Sequence, residues 1–76
     1  MKRIGEIECR VHSDDEIIYA ERKTVVCDVN HPSFWLDEAE GVYTNWKYEQ
    51  FEFHNMNPTQ VQFSYTVTQK SKPVED

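Results

Sequence analysis

The fold of this chain is constrained most by residues 59–69, Thr-Gln-Val-Gln-Phe-Ser-Tyr-Thr-Val-Thr-Gln. Val61, Phe63, Tyr65 and Val67 alternate without interruption against Gln62, Ser64, Thr66 and Thr68. A period of two sends the first set to one face of a strand and the second set to the other. The β-branched and aromatic residues suit a pleated, half-buried surface. The segment reads as a strand, and as the wall on which the rest of the chain packs.

Residues 3–12 read as a first strand with Ile7, Cys9 and Val11 on one face. Ser13-Asp14-Asp15 is turn chemistry. Residues 16–29 follow as one long strand or two shorter ones, with Ile17, Tyr19, Val25, Cys27 and Val29 in one phase. A three-residue turn at 13–15 pairs His12 with Glu16, Val11 with Ile17 and Cys9 with Tyr19, and sets Glu6 opposite Arg22. That register matches apolar with apolar and charge with opposite charge. A slip of one residue would lose both.

Asn30-His31-Pro32 ends this strand. Residues 33–41 admit two readings. Pro32 at the start and Gly41 at the end suit a short helix over 32–40. Phe34, Trp35 and the following Val42-Tyr43 favour a strand, which is the reading preferred here. In residues 42–53, Trp46 and Tyr48 share one parity and Phe51 and Phe53 the other. A β-bulge near Glu49-Gln50 would return all four rings to one face. Residues 54–58 form the loop back to the 59–69 strand.

The expected fold is therefore all-β: an antiparallel curved sheet or small open barrel of about five strands. The alternative is α+β, with one short helix near residues 32–40 on the sheet. Residues 1–69 form a single small domain, and 70–76, where the pattern is lost, a flexible C-terminal tail. A chain of 76 residues buries only a modest core. Its 13% aromatic content offsets this, because large rings bury much area per residue.

Fourteen Asp and Glu against eight Lys and Arg give a formal charge of −6. Nucleic-acid binders present a basic face, and none is visible, so direct binding to nucleic acid or an anionic membrane is not expected. No stretch reads as a signal peptide or membrane span. With only two cysteines there is no disulfide scaffold, and the cytoplasm is the expected compartment.

Cys9, His12, Cys27 and His31 form C-x2-H-x14-C-x3-H, four residue types that bind zinc. The hairpin argues against a shared site. Cys9 and His12 point to opposite faces of one strand. Cys27, eight residues beyond the expected partner of Cys9, lies about 26 Å away on a single long strand. Buried, reduced thiols are the expectation, and a Cys/His metal module is the weaker alternative. Neither catalytic residues nor a cofactor are expected. Nothing beyond residue type supports a pairing of Cys27 with His31 or His54, and Gly5 and Gly41 do not make a phosphate loop.

Asp37, Glu38 and Glu40 lie beside Phe34 and Trp35, and Tyr43, Trp46 and Tyr48 follow. These eight residues form the candidate partner surface: aromatic anchors within an acidic rim, suited to a basic groove on a protein. The expected function is a small acidic protein-binding module, a non-enzymatic inhibitor, adaptor or regulator, including imitation of nucleic acid. An open sheet edge also offers strand addition to a partner or pairing into a homodimer. A small-ligand-binding β domain is the alternative.

Overall fold

The computed structural model describes residues 2–53 and 59–74, with the backbone alone for Phe53. It contains strands β1 (Lys2–Ser13) and β2 (Glu16–Cys27), helix α1 (Pro32–Phe53) and strand β3 (Gln62–Val74). The strands form one antiparallel sheet in the order β2-β1-β3. The protein is α+β, and the all-β barrel of about five strands is corrected on both counts.

The correction lies in residues 32–53. Trp35, Ala39, Trp46 and Gln50 are buried, with Val42 and Tyr43 half-buried between them. Those positions recur at helical spacing and share one face. The phase slip near Glu49-Gln50 is therefore the helical period, and no bulge is needed. The helix is also far longer than the 32–40 segment of the alternative. Topology demands such an element. Both outer strands run antiparallel to β1, and hence parallel to each other, so β2 reaches β3 only by crossing the sheet. Helix α1 makes that crossing over the core face.

The β1–β2 turn is two residues long, not three. Asp14 and Asp15 both have positive φ, 49° and 65°, as a type I′ hairpin turn requires. Ser13 pairs with Glu16 and His12 with Ile17; an irregularity beside Ile18 then sets Val11 opposite Tyr19, Cys9 opposite Glu21 and Glu8 opposite Arg22. Beyond that irregularity the pairing is two residues from the expected register, so Tyr19, Val25 and Cys27 keep the expected face with other partners, while Ile17, opposite His12, lies on the other face. Arg22 still reaches Glu6 at 3.8 Å, diagonally, as well as Glu8 at 3.7 Å.

The central wall is β1, not β3. Ile7, Cys9 and Val11 of β1 are fully buried and join Val25, Cys27, Trp35, Ala39 and Trp46 in the core. Val61, Phe63 and Tyr65 pack on that core half-buried, and Val67 is exposed. Residues 70–74 are not a tail: Ile4 pairs with Lys72, Arg3 with Pro73 and Lys2 with Val74. The opposite face of the sheet carries Glu6, Glu8, Arg10 and His12, and no described element covers it. Residues 54–58, expected as a loop, lie outside the described residues.

Candidate functional site

Helix α1 starts on its own cap. The His31 carbonyl accepts the Trp35 amide at 3.3 Å, and its imidazole Nδ1 accepts the Ser33 amide at 3.2 Å and the Ser33 hydroxyl at 2.6 Å. Pro32 follows at the first helical position, where a missing N–H costs nothing. His31 is thereby committed to the helix terminus.

The eight candidate partner residues split between the two sides of this helix. Trp35 and Trp46, at 1% and 2% exposure, are core. The Trp35 indole donates to the Val25 carbonyl at 2.8 Å, and the Trp46 indole to Glu21 Oε2 at 2.9 Å. Tyr43 is half-buried with its ring 4.7 Å from that of Tyr65. Burial, and then the neighbouring Cys9 and Tyr65, push its phenol pKa up. These three rings hold the helix to the sheet and are unavailable to a partner.

The other five face outward. Phe34 and Tyr48 are 53% and 61% exposed, and Asp37, Glu38 and Glu40 are exposed. Phe34, Glu38, Gly41, Asn45 and Tyr48 fall on one helical stripe, with Asp37 beside it. At 1.5 Å rise per residue the stripe runs about 21 Å from Phe34 to Tyr48.

Charge is unevenly compensated over the surface. Glu6 and Glu8 meet Arg22, Glu8 meets Arg10, Glu21 meets Lys23 and Asp28 meets Lys2, all within 4.0 Å. The Arg10 and Arg22 guanidiniums hold the Glu8 carboxyl below the usual range, the hydrogen bond from Arg10 contributing most. Asp37, Glu38 and Glu40 form no ion pair with any described residue. Asp37 and Glu38 thus present, within a turn of the exposed Phe34 ring, charge that no described residue neutralises. Tyr48 lies about 15 Å further along the stripe, and Glu40, two residues from Glu38, stands on the flank of the helix.

The Cys/His set is dispersed. Cys9 and Cys27 are buried, reduced and on one face. The partner of Cys9 is Glu21, so Cys27 lies six residues further along β2, about 20 Å away. His12 is on the opposite face with its Nε2 2.7 Å from the Ser64 hydroxyl, and His31 caps the helix. Among the described residues no three His, Cys, Asp or Glu side chains gather as metal ligands, and His54 lies outside the described residues.

Both outer strands of the sheet are open. Beside the hairpin tip, β2 exposes Ile17, Ile18 and Tyr19. β3 carries Lys70, Lys72 and Pro73 near its end, residue types that blunt an edge. Sequence reasoning missed a groove between the first turn of α1 and β3, lined in part by Arg3, Leu36, Val67 and Lys70. Only the pairing of residues 70–74 with the start of β1 brings those positions together, and that segment had been read as a tail.

No helix among the described residues is long and apolar enough to cross a membrane. No family model, no curated protein and no solved structure matches the chain.

Proposed function

We propose that this protein is a binding module that docks the outer face of α1 into a basic groove on another protein, and acts there as an inhibitor, adaptor or regulator. The observation that carries the reading is the pair Asp37 and Glu38, unneutralised by any described residue, one turn from the exposed ring of Phe34 on the stripe that ends at the exposed Tyr48. Unpaired surface carboxylates steer a cationic partner and fix register. Exposed aromatic side chains supply the anchoring contacts. Trp35 and Trp46 clamp the inner face, so a docking partner meets an ordered helix and loses little entropy in fixing it. Free, buried thiols suit a reducing compartment such as the cytoplasm.

The test is affinity capture from lysate of the native source with three baits. These are the wild type, an Asp37→Lys/Glu38→Lys/Glu40→Lys variant and Tyr48→Ala, each first shown to melt like the wild type. The expected result is one stoichiometric protein with a basic surface, retained by the wild type, released by salt and lost from both variants. Retention by the charge-reversed bait would refute the proposed face. Capture of nothing would refute the function.

A further inference from the structure

The groove between the first turn of α1 and β3 is open to solvent on one side and has a volume of about 420 Å³, within the range of small-molecule sites. Its floor is apolar: Pro32, Trp35, Leu36 and Val67. Leu36 and Val67 stand 49% and 38% exposed there. Its rim is cationic, with Arg3 on β1 and Lys70 on β3.

Arg3 differs from the other arginines. Arg10 and Arg22 each meet carboxylates. Arg3 donates only to neutral oxygens: Nε to the Ser71 hydroxyl at 3.2 Å, Nη2 to the Ser71 carbonyl at 2.9 Å and Nη1 to the Asn30 amide oxygen at 3.4 Å. Those bonds fix the guanidinium in place and leave its charge uncompensated by any described carboxylate. Two of its five N–H groups remain unused. Lys70 also forms no ion pair with a described residue. Of the eight basic residues in the chain, Arg3, Lys47, Lys70 and Lys72 form no ion pair with a described carboxylate, and Arg3 and Lys70 are the two that line this groove.

We infer that the groove binds an organic anion with an apolar tail, of the class of medium-chain carboxylates. The carboxylate sits between Arg3 and Lys70, and the hydrocarbon covers Leu36 and Val67. An inorganic anion would leave the apolar floor wet, and a neutral hydrocarbon would desolvate the cations without pairing them. Only the combination satisfies both parts of the site. The inference concerns a face other than the acidic stripe of α1 and does not depend on the protein-binding reading.

The test is a titration of the ¹⁵N-labelled protein with octanoate, octylammonium, octanol and acetate, followed by two-dimensional NMR. Octanoate should give saturable shifts at Leu36, Val67, Ser71 and the Trp35 indole N–H. The other three probes should shift these signals at least tenfold more weakly at equal concentration. Lys70→Glu, an exposed substitution that keeps the fold, should weaken octanoate binding at least tenfold, and Arg3→Gln should do the same. Equal response to octylammonium or octanol, shifts that do not saturate, or undiminished binding by Lys70→Glu would overturn the inference. A preference for an acidic peptide over octanoate would also overturn it and make the groove a protein contact.

Discussion

A Cβ added to Gly5 would lie 2.5 Å from Cζ2 of Trp35, so the indole lies directly on the bare backbone of β1. The same Cβ would meet the Gln69 carbonyl oxygen at 2.8 Å and Ser71 Cα at 3.0 Å. Two of these three atoms are backbone and cannot swing aside. Gly5→Ala is therefore expected to destabilise the protein by at least about 1–3 kcal/mol, the usual cost of overpacking a core. Trp35→Ala should cost more, about 3–5 kcal/mol, because Trp35 anchors α1 to the Val25 carbonyl. Combining Gly5→Ala with Trp35→Leu should recover part of the glycine penalty but not the part due to β3, a coupling measurable by urea unfolding of all four proteins. Unchanged melting of Gly5→Ala would contradict this packing.

Glu21 joins the edge strand to the helix. Its carboxylate takes the Lys23 ammonium at 3.0 Å, the Trp46 indole N–H at 2.9 Å and the Tyr19 hydroxyl at 3.3 Å. The Lys23 hydrogen bond contributes most, and together these interactions hold the carboxyl below its ordinary 4.5 despite partial burial. The unfolded chain therefore binds this proton more readily than the folded one. The stabilisation is complete above the ordinary carboxylate range and is lost as pH falls through the lowered folded value. Glu21→Gln lacks the titration. The stability gap between wild type and variant in urea should be present at neutral pH and shrink as pH falls below the ordinary carboxylate range. A gap that stays constant across that range would show that the charge is not its source.

Legibility in the sequence followed the length of the pattern. The faces of the strands could be read everywhere but at Ile17, because a two-residue period survives an error of two in register and not the one-residue irregularity beside Ile18. The exact partners could not, because the positive φ of both aspartates and the irregularity beside Ile18 leave no mark in the alternation. The helix was missed for a physical reason. Trp35, Tyr43, Trp46 and Tyr48 are residue types that favour strands, and their burial on a long amphipathic face overrode that preference. Three of the eight residues of the candidate surface, Trp35, Tyr43 and Trp46, were placed there by this error. Read as a strand, the segment keeps its aromatics together; wound into α1, it sends Trp35 and Trp46 into the core and leaves Phe34 and Tyr48 outside. The end of β3 was illegible because Lys70, Ser71, Lys72 and Pro73 resemble a tail, and only pairing with β1 orders them.

Cys9 has no exposed surface and sits between Glu21 on β2 and Tyr65 on β3. Burial pushes its thiol pKa up to about 11. In a Cys27→Ala protein the remaining thiol should react with a disulfide reagent only at the rate of unfolding, and at once in denaturant, since the thiolate is the nucleophile. The raised value also sets a pH limit. Its contribution to stability is whole below the ordinary 9.0 and is lost as pH rises towards about 11. Rapid modification of the folded protein near neutral pH would show that Cys9 is accessible.

Gly41 lies in the middle of α1, exposed, with no heavy atom within 4 Å of where a Cβ would stand. Its φ is not positive, so neither packing nor backbone conformation within the chain requires glycine. An exposed helical glycine costs about 1 kcal/mol relative to alanine. Gly41→Ala should therefore stabilise the protein by about that amount and raise its melting temperature by roughly 4–8 °C. The same residue lies between Glu38 and Tyr48 on the stripe proposed to meet a partner, where a missing side chain lets another backbone approach closely. Capture by the alanine variant should fall while its stability rises. Opposite signs in the two measurements would assign Gly41 to the contact. A variant that is more stable and binds as the wild type does would move the contact to another part of the helix.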